Sequence, residues 1–311
     1  MRLRRPFVVA SAVAACLAYP ALAAATGALA SPTNTPAAGP WSLAPGEYYS
    51  EVSGSAFTAA SDYDDGGHRV LLPTTLQQRA ARWYSELGWK KRWSVSFELP
   101  MISNAVRSGP VASESQAGFE DFGFGLRYRL HNGASASALQ LGWEAPMGYN
   151  YRLDVPPGDG LQKLSASLQF GGPAGRGGFW QLGAGYRYDY LTIGGRAKAP
   201  ADAAAPTADQ DWSDHVTLNA AYALWLGHLQ VAGLYGGDLP LNTGRPEKVT
   251  QHAVGPRFTY RVDERLDVFA GSWHTPAGKN DLHVDEFYAG LAFKSTKLNR
   301  LQGFLGNDSR P

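Results

Sequence analysis

The chain has 311 residues, a net charge of +1 and 18% charged residues, against roughly 25% in an average soluble protein. Glycine and aromatic residues are abundant, with 36 Gly, 15 Tyr, 13 Phe and 9 Trp, and the mean hydropathy is −0.26. A helical membrane protein, which needs apolar runs of about 18 residues, is excluded, as is the basic footprint of a nucleic-acid-binding protein. The composition predicts a chain rich in β-strands.

The first 30 residues have the pattern of a secretory signal peptide. Three arginines among the first five residues precede a short apolar core, and residues 21–23 and 28–30 both read Ala-Leu-Ala, typical of a cleavage site. Cleavage removes Cys16, the single cysteine, and leaves no thiol for disulfides or metal binding. The run ending at Cys16 also resembles a lipobox, so lipidation is the alternative. Residues 31–45, rich in Pro, Ala and Thr, are predicted to be a flexible lead-in.

Between residues 46 and 293 apolar and polar residues alternate with a period of two, which predicts β-strands. The alternation is clearest from Phe122 to Leu130, where five apolar residues alternate with glycine and arginine. We predict twelve strands joined by five short turns and six long loops. The long loops are predicted near residues 60–73, 100–118, 146–160, 191–214, 236–250 and 274–285.

This organisation predicts an antiparallel transmembrane β-barrel of about 12 strands in the outer membrane, with long loops outside and short turns in the periplasm. Aromatic residues near both strand ends match the girdles of such barrels at the two bilayer interfaces. Water-soluble β-sandwiches also alternate, so a secreted sandwich is the alternative fold. The predicted organisation is a barrel over residues 46–293, surrounded by outer-membrane lipids, and a periplasmic tail over residues 294–311.

Three consecutive segments carry a family resemblance: residues 118–130 (GFEDFGFGLRYRL), 139–149 (LQLGWEAPMGY) and 158–171 (GDGLQKLSASLQFG). Their order resembles the outer-membrane barrel family named for the meta-cleavage pathway of phenol degradation. The resemblance implies a barrel related in kind to uptake channels for hydrophobic or aromatic compounds. The chain departs from the family at Met147, a place that is commonly Thr, and in continuing beyond the aromatic strand end at Phe293.

In a barrel of this kind the polar face of each strand lines the lumen. Its charges either set selectivity, as in pores, or pair across the lumen and close it, since charges with little water need partners. Four aromatic residues, Tyr84, Phe269, Trp273 and Tyr288, are also expected to face inward, as an apolar path or as filling. The predicted lumen-lining residues are Arg82, Glu86, Glu98, Arg127, Arg129, Glu144, Lys163, Arg187, Asp189, Arg257, Arg261 and Glu286.

An outer-membrane lipid hydrolase is the less favoured class. Such enzymes use a Ser–His pair, and acyl transfer needs the nucleophile held against an oriented base. His274 and His283 fall in a predicted loop without a serine at a matching spacing. Residues 62–67 have the acids and glycines of a calcium loop but lack its later glutamate. The sequence therefore predicts no catalytic residue, no metal site and no cofactor.

The leading functional hypothesis is passive passage of a small, hydrophobic or aromatic solute through an outer-membrane channel. A closed barrel with an envelope-structural or surface-adhesion role, exerted through its long loops, is the competing hypothesis. The two differ in whether the lumen conducts, and the sequence leaves that property and the oligomeric state open.

Overall fold

The computed structural model describes most of the predicted barrel region. The predicted signal peptide and most of the predicted tail, residues 296–311, lie outside the described residues. No helix in the described part is long and apolar enough to cross a membrane. The described residues are 40–41, 43–108, 111–133, 135–147, 157–158, 161–175, 177–191, 212–243 and 249–295.

The described residues form an all-β structure of antiparallel strands. The strands are β1 (Tyr48–Tyr63), β2 (Arg69–Lys90), β3 (Trp93–Ser108), β4 (Val111–Phe119), β5 (Asp121–Asn132), β6 (Ala136–Pro146), β7 (Leu161–Pro173), β8 (Gly178–Leu191), β9 (Trp212–Leu226), β10 (Leu229–Thr243), β11 (Thr250–Arg261), β12 (Leu266–Lys279), β13 (Asp281–Leu282) and β14 (Asp285–Lys294).

The sheet closes on itself because β1 pairs with β2 on one side and with β14 on the other. β4 and β5 both pair with β3 and continue one another. They are separated by Glu120, whose N–H donates to the carbonyl of Pro100 over 3.0 Å. β13 is a two-residue strand that pairs with the extracellular end of β1. The wall therefore contains twelve strands, which confirms the predicted barrel.

Alternation along each strand sorts side chains between the two faces of the wall. Large apolar residues such as Phe124, Leu168 and Leu182 are exposed outward, whereas Glu86 and Arg127 are buried inside. This distribution is the reverse of a water-soluble protein, in which charged residues are seldom buried and cores are apolar. It suits a barrel with lipid outside and a polar interior. The chain is an outer-membrane barrel, and the secreted sandwich was the wrong alternative.

The predicted turns at the periplasmic end agree with the structure, whereas the predicted extracellular loops were too long. Most of residues 60–73 and 100–118 belong to strands, and the first of these loops shrinks to a turn at residues 64–68. There the N–H of His68 donates to Asp64 Oδ1 over 2.7 Å, and this bond lowers the pKa of the Asp64 carboxyl. In the strands that extend through residues 60–73 and 100–118, pairing satisfies the backbone N–H and C=O groups. These extensions do not need the apolar alternation from which strands were predicted.

Both ends of the barrel chain lie at the end that carries the short turns, where Tyr49 pairs with Lys294. In outer-membrane barrels this end faces the periplasm. Phe293 belongs to β14, the last strand of the wall, and its side chain is exposed on the outer face. An aromatic strand end is thus present although the chain continues beyond it.

Candidate functional site

The inner face of the barrel carries most of the predicted charges as bonded groups. Arg127 on β5 donates from Nη1 to both oxygens of Glu86 on β2, over 2.9 and 3.0 Å. The side chains are only 4% and 1% exposed. Ser94 Oγ donates to the same carboxylate, and Arg127 Nη2 donates to Gln140 over 3.0 Å. Because both ions are buried and bonded to each other and to Ser94 and Gln140, this network occupies the interior and connects four strands.

A second cluster lies towards the extracellular end, on β8, β9 and β10. Arg187 is 2.7 Å from Asp189 and 2.6 Å from Asp238. His215 Nδ1 is 2.6 Å from Asp238, and its Nε2 is 2.8 Å from Ser213 Oγ. Asp189 Oδ2 lies 3.5 Å from that same Nε2.

Ser213, His215 and Asp238 contact one another in the order of a Ser–His–Asp catalytic triad. The charged groups around them differ from those of a catalytic triad. Arg187 binds both Asp189 and Asp238, so the anion that would orient a catalytic histidine is shared with a cation. The carboxylate of Asp189 also lies 3.5 Å from Nε2, so the nitrogen that would take the serine proton has an acid beside it as well as the hydroxyl. We interpret the cluster as an ion-pair network.

Arg257 and Arg82 also pair with acids on strands that are not their neighbours in the wall. Arg257 on β11 and Glu51 on β1 approach to 2.8 Å although two strands separate them in the wall. The guanidinium of Arg257 also lies 3.9 Å from the ring centroid of Phe269. Arg82 on β2 and Glu286 on β14 are 3.6 Å apart, with β1 between them. These side chains cut across the interior and narrow it.

Lys163, Glu144 and Asp121 form a more open group. Lys163 Nζ is 3.2 Å from Asp121 Oδ2 and 3.7 Å from Glu144 Oε2. The Glu144 side chain is 39% exposed, far more than its two partners. Its carboxylate is therefore the charge in this group with the most access to water.

We expect Glu144→Lys to shift ion selectivity towards anions, because Asp121 already holds Lys163 and the new cation would face water. The measurement is the reversal potential in a salt gradient across a planar bilayer, with Glu144→Asp as the control that keeps the charge. An unchanged reversal potential for Glu144→Lys would remove Glu144 from the conducting path.

The other predicted positions have separate surroundings on the same face. Arg129 Nη2 donates to the carbonyl of Leu43 over 3.5 Å. Arg261 Nε is 3.7 Å from Asp267, and its guanidinium carbon lies 4.2 Å from the ring centroid of Trp225. Glu98 lies on β3 opposite Gly123, where the missing side chain leaves room for it; a Cβ there would be 3.3 Å from that of Glu98.

Several interior groups were missed from the sequence. Lys294 was assigned to the tail, yet it is buried at the end of β14 and its Nζ donates to Asp267. Asp121 and Asp238 occupy inward positions of β5 and β10, in parts of these strands that the sequence analysis did not assign to a strand. The parity of the alternation would have found both, had the strands been extended.

The N-terminal segment, described at residues 40–41 and 43–47, lies inside the barrel at its periplasmic end. Leu43 is 1% exposed and packs against Tyr49, Phe269 and Ala292. Trp41 meets Phe179 edge to face, with ring centroids 5.7 Å apart. The segment thus extends from the β1 side of the barrel to β8, across its mouth. Within the predicted lead-in over residues 31–45, residues 40–41 and 43–45 thus pack inside the barrel, because an apolar residue at the mouth of a barrel gains by packing inside.

Glycines make room for this segment on two sides of the wall. A Cβ added at Gly88 would lie 1.9 Å from the carbonyl oxygen of Ala44. One added at Gly171 would lie 2.7 Å from Pro40 Cγ and 2.8 Å from the Trp41 ring. Backbone this close to the wall tolerates no side chain, so both positions fit the segment as it lies here.

An apolar stripe runs along β9 to β12 on the inner face. Phe179 and Tyr288 pack against it. Four of its six residues are alanines, so this side of the interior is less polar than the side that carries Arg127 and Glu86. The four aromatic residues expected to face inward all belong to the two apolar clusters of the interior or pack against them. They are Trp273, Tyr288, Tyr84 and Phe269. The apolar stripe consists of Ala221, Ala223, Ala232, Leu234, Ala253 and Trp273.

The family model described as "Putative MetA-pathway of phenol degradation" matches residues 35–280. An outer membrane channel from Pseudomonas putida F1 has the same fold, with a TM-score of 0.62 at 14% identity over 82% of this chain and 97% of that one. No curated protein matches by sequence.

Two translocator structures are more distant. The beta domain of the Bordetella autotransporter BrkA has a TM-score of 0.48 at 13% identity, over 79% of this chain and 99% of that one. The translocator domain of the autotransporter NalP from Neisseria meningitidis has a TM-score of 0.44 at 10% identity, over 81% and 89%. Of these three structures, the channel alone has a TM-score above 0.5.

Proposed function

We propose, because the chain belongs to this family of phenol-degradation barrels, that it is an outer-membrane channel through which small hydrophobic or aromatic solutes pass passively. The observation that carries the proposal is the apolar stripe on one side of the barrel interior, opposite a side that is polar. A lumen of this kind offers a weakly polar solute an apolar surface for its ring and hydrogen-bonding groups for its substituents.

The ion pairs favour such a solute over a charged one. Arg127, Arg187 and Arg257 each contact a carboxylate at 2.9 Å or less. A cation that is already neutralised offers little attraction to an anionic solute, while its guanidinium face can still stack on an aromatic ring. Arg257 makes such a contact with Phe269, and a passing phenol-type ring would use the same chemistry.

The proposal is tested on purified, refolded mature protein. Heat-dependent gel mobility identifies the folded barrel, planar bilayers report ion conductance, and liposome swelling compares entry of a phenol-type solute with entry of a sugar of similar mass. Stepwise conductance together with faster entry of the aromatic solute supports the channel. A folded barrel that admits neither solute nor ions, even after removal of residues 31–45, would instead favour the closed barrel with an envelope or adhesion role.

We expect Leu234→Asn to slow the entry of the aromatic solute several-fold, because it puts an amide in the middle of the apolar stripe. Thr217→Asn is the matched control, since it places the same amide on the inner face of β9 outside the stripe. The readout is the ratio of aromatic to sugar entry in liposomes. Equal ratios in the two variants would show that the stripe does not contribute to selectivity.

A further inference from the structure

Three metal-binding side chains meet at the extracellular rim of the wall, away from the lumen. They are His274 on β12, His283 in the loop before β14, and Asp285 at the start of β14. One ligand atom from each lies within 4.8 Å of the other two. His274 Nδ1 is 2.6 Å from Asp285 Oδ1, and the two imidazoles meet edge to face with centroids 5.3 Å apart.

The backbone holds this cluster from two directions. His274 and Asp285 are directly opposed in the β12–β14 ladder, where paired side chains lie about 5 Å apart at Cβ. The N–H of His283 donates to the carbonyl of Ser61 over 3.0 Å. Strand pairing therefore fixes two ligands, and a contact with β1 fixes the third.

Thr275 ties the loop to β12 beside the cluster. The N–H of Val284 donates to Thr275 Oγ1 over 2.6 Å, and the N–H of Thr275 donates to the carbonyl of Val284 over 3.0 Å. These reciprocal bonds lie between the ligands His274 and Asp285 on one side and His283 on the other. The three groups consequently face each other before any ion arrives, which lowers the entropic cost of binding.

We propose that His274, His283 and Asp285 form a binding site for one divalent transition-metal ion of the zinc, copper or nickel class. Two imidazoles and a carboxylate suit these ions, whereas calcium and magnesium prefer oxygen ligands alone. Three protein ligands leave further positions for water. The side chains of His274 and Asp285 are 46% and 59% exposed, so an ion reaches them from outside the cell.

Binding replaces the contact between His274 and Asp285 with bonds from both groups to the ion. The ion then links β12 to the β13–β14 loop at the place where the last strand of the barrel meets β1. The site is separate from solute passage, because its ligands lie on the rim and not on the inner face. Its existence does not depend on the channel proposal.

The experiment measures Zn²⁺ affinity of refolded, untagged mature protein by competition with a chromophoric chelator, with Co²⁺ absorption as a second readout of the ligand set. We expect one bound ion per barrel. His274→Gln and His283→Gln are each expected to weaken binding roughly tenfold or more, with folding verified by heat-dependent gel mobility. His68→Gln is the matched control, because His68 and Asp64 form an exposed pair at 3.3 Å without a second imidazole.

A fourth variant, Arg69→Gln, is expected to change Zn²⁺ affinity in the opposite direction. Arg69 donates from Nε to Ser61 Oγ over 2.8 Å, and the N–H of His283 donates to the carbonyl of the same Ser61 over 3.0 Å, so a positive charge lies beside the cluster. Removing that charge in Arg69→Gln is expected to raise Zn²⁺ affinity a few-fold. The proposal is overturned if the wild-type protein binds no Zn²⁺, or if His274→Gln and His283→Gln bind it as tightly as His68→Gln does.

Discussion

Removal of residues 31–45 is expected to raise the single-channel conductance several-fold. Residues 40–41 and 43–45 lie across the periplasmic mouth of the barrel, and Leu43 is 1% exposed among Tyr49, Phe269 and Ala292. Their loss opens cross-section at this end without breaking the wall, because the hydrogen bonds that pair residues 46 and 47 with Gly88 remain. The measurement is conductance in planar bilayers for full-length and truncated mature protein.

Substitutions test the same point without deletion. Leu43→Asp should release the segment, because an ionised carboxylate is costly to bury in an apolar cluster, and should increase conductance in the same direction as truncation. Leu43→Met preserves volume and apolar character and is the control that should conduct like the wild type. If truncation and Leu43→Asp both leave conductance unchanged, the constriction lies higher in the barrel, among the ion pairs that cross it.

Arg127→Ala is expected to destabilise the barrel by about 3–5 kcal/mol, the usual cost of leaving a buried ion without its partner. The Glu86 carboxylate, 1% exposed on its side chain, would keep Ser94 and Tyr84 as donors and lose both bonds from the guanidinium. The measurement is the free energy of unfolding in urea, with the folded fraction read from the heat-dependent mobility shift.

A double substitution separates the charge from the packing. In Glu86→Gln with Arg127→Gln no ion is left unpaired, so most of the lost stability should return relative to Arg127→Ala. Glu144→Gln is the matched single change at an exposed acid, with 39% of its side chain accessible, and should cost little, since exposed ion pairs contribute about 0–1 kcal/mol. Equal destabilisation by Arg127→Ala and Glu144→Gln would contradict a structural role for the Glu86–Arg127 pair.

The strands and their faces could be predicted because alternation is a local property. From Phe122 to Leu130 the outward and inward positions follow directly from the order of residues, and the structure agrees. Strand ends were harder to predict, as at residues 100–118, where β3 and β4 continue as a hairpin. Above the membrane the outer face no longer needs to be apolar, so the signal from which strands were predicted disappears.

The sequence alone determined that this chain is an outer-membrane barrel of twelve strands with charged residues on one face, because period-two alternation and turn chemistry act over a few neighbouring residues. Only the tertiary structure decided which charges meet. Arg257 and Glu51 are 206 residues apart along the chain and bond because closure and register bring β11 and β1 to face each other. Closure likewise places Leu43 inside the mouth and gathers His274, His283 and Asp285 at the rim, contacts that no local pattern encodes.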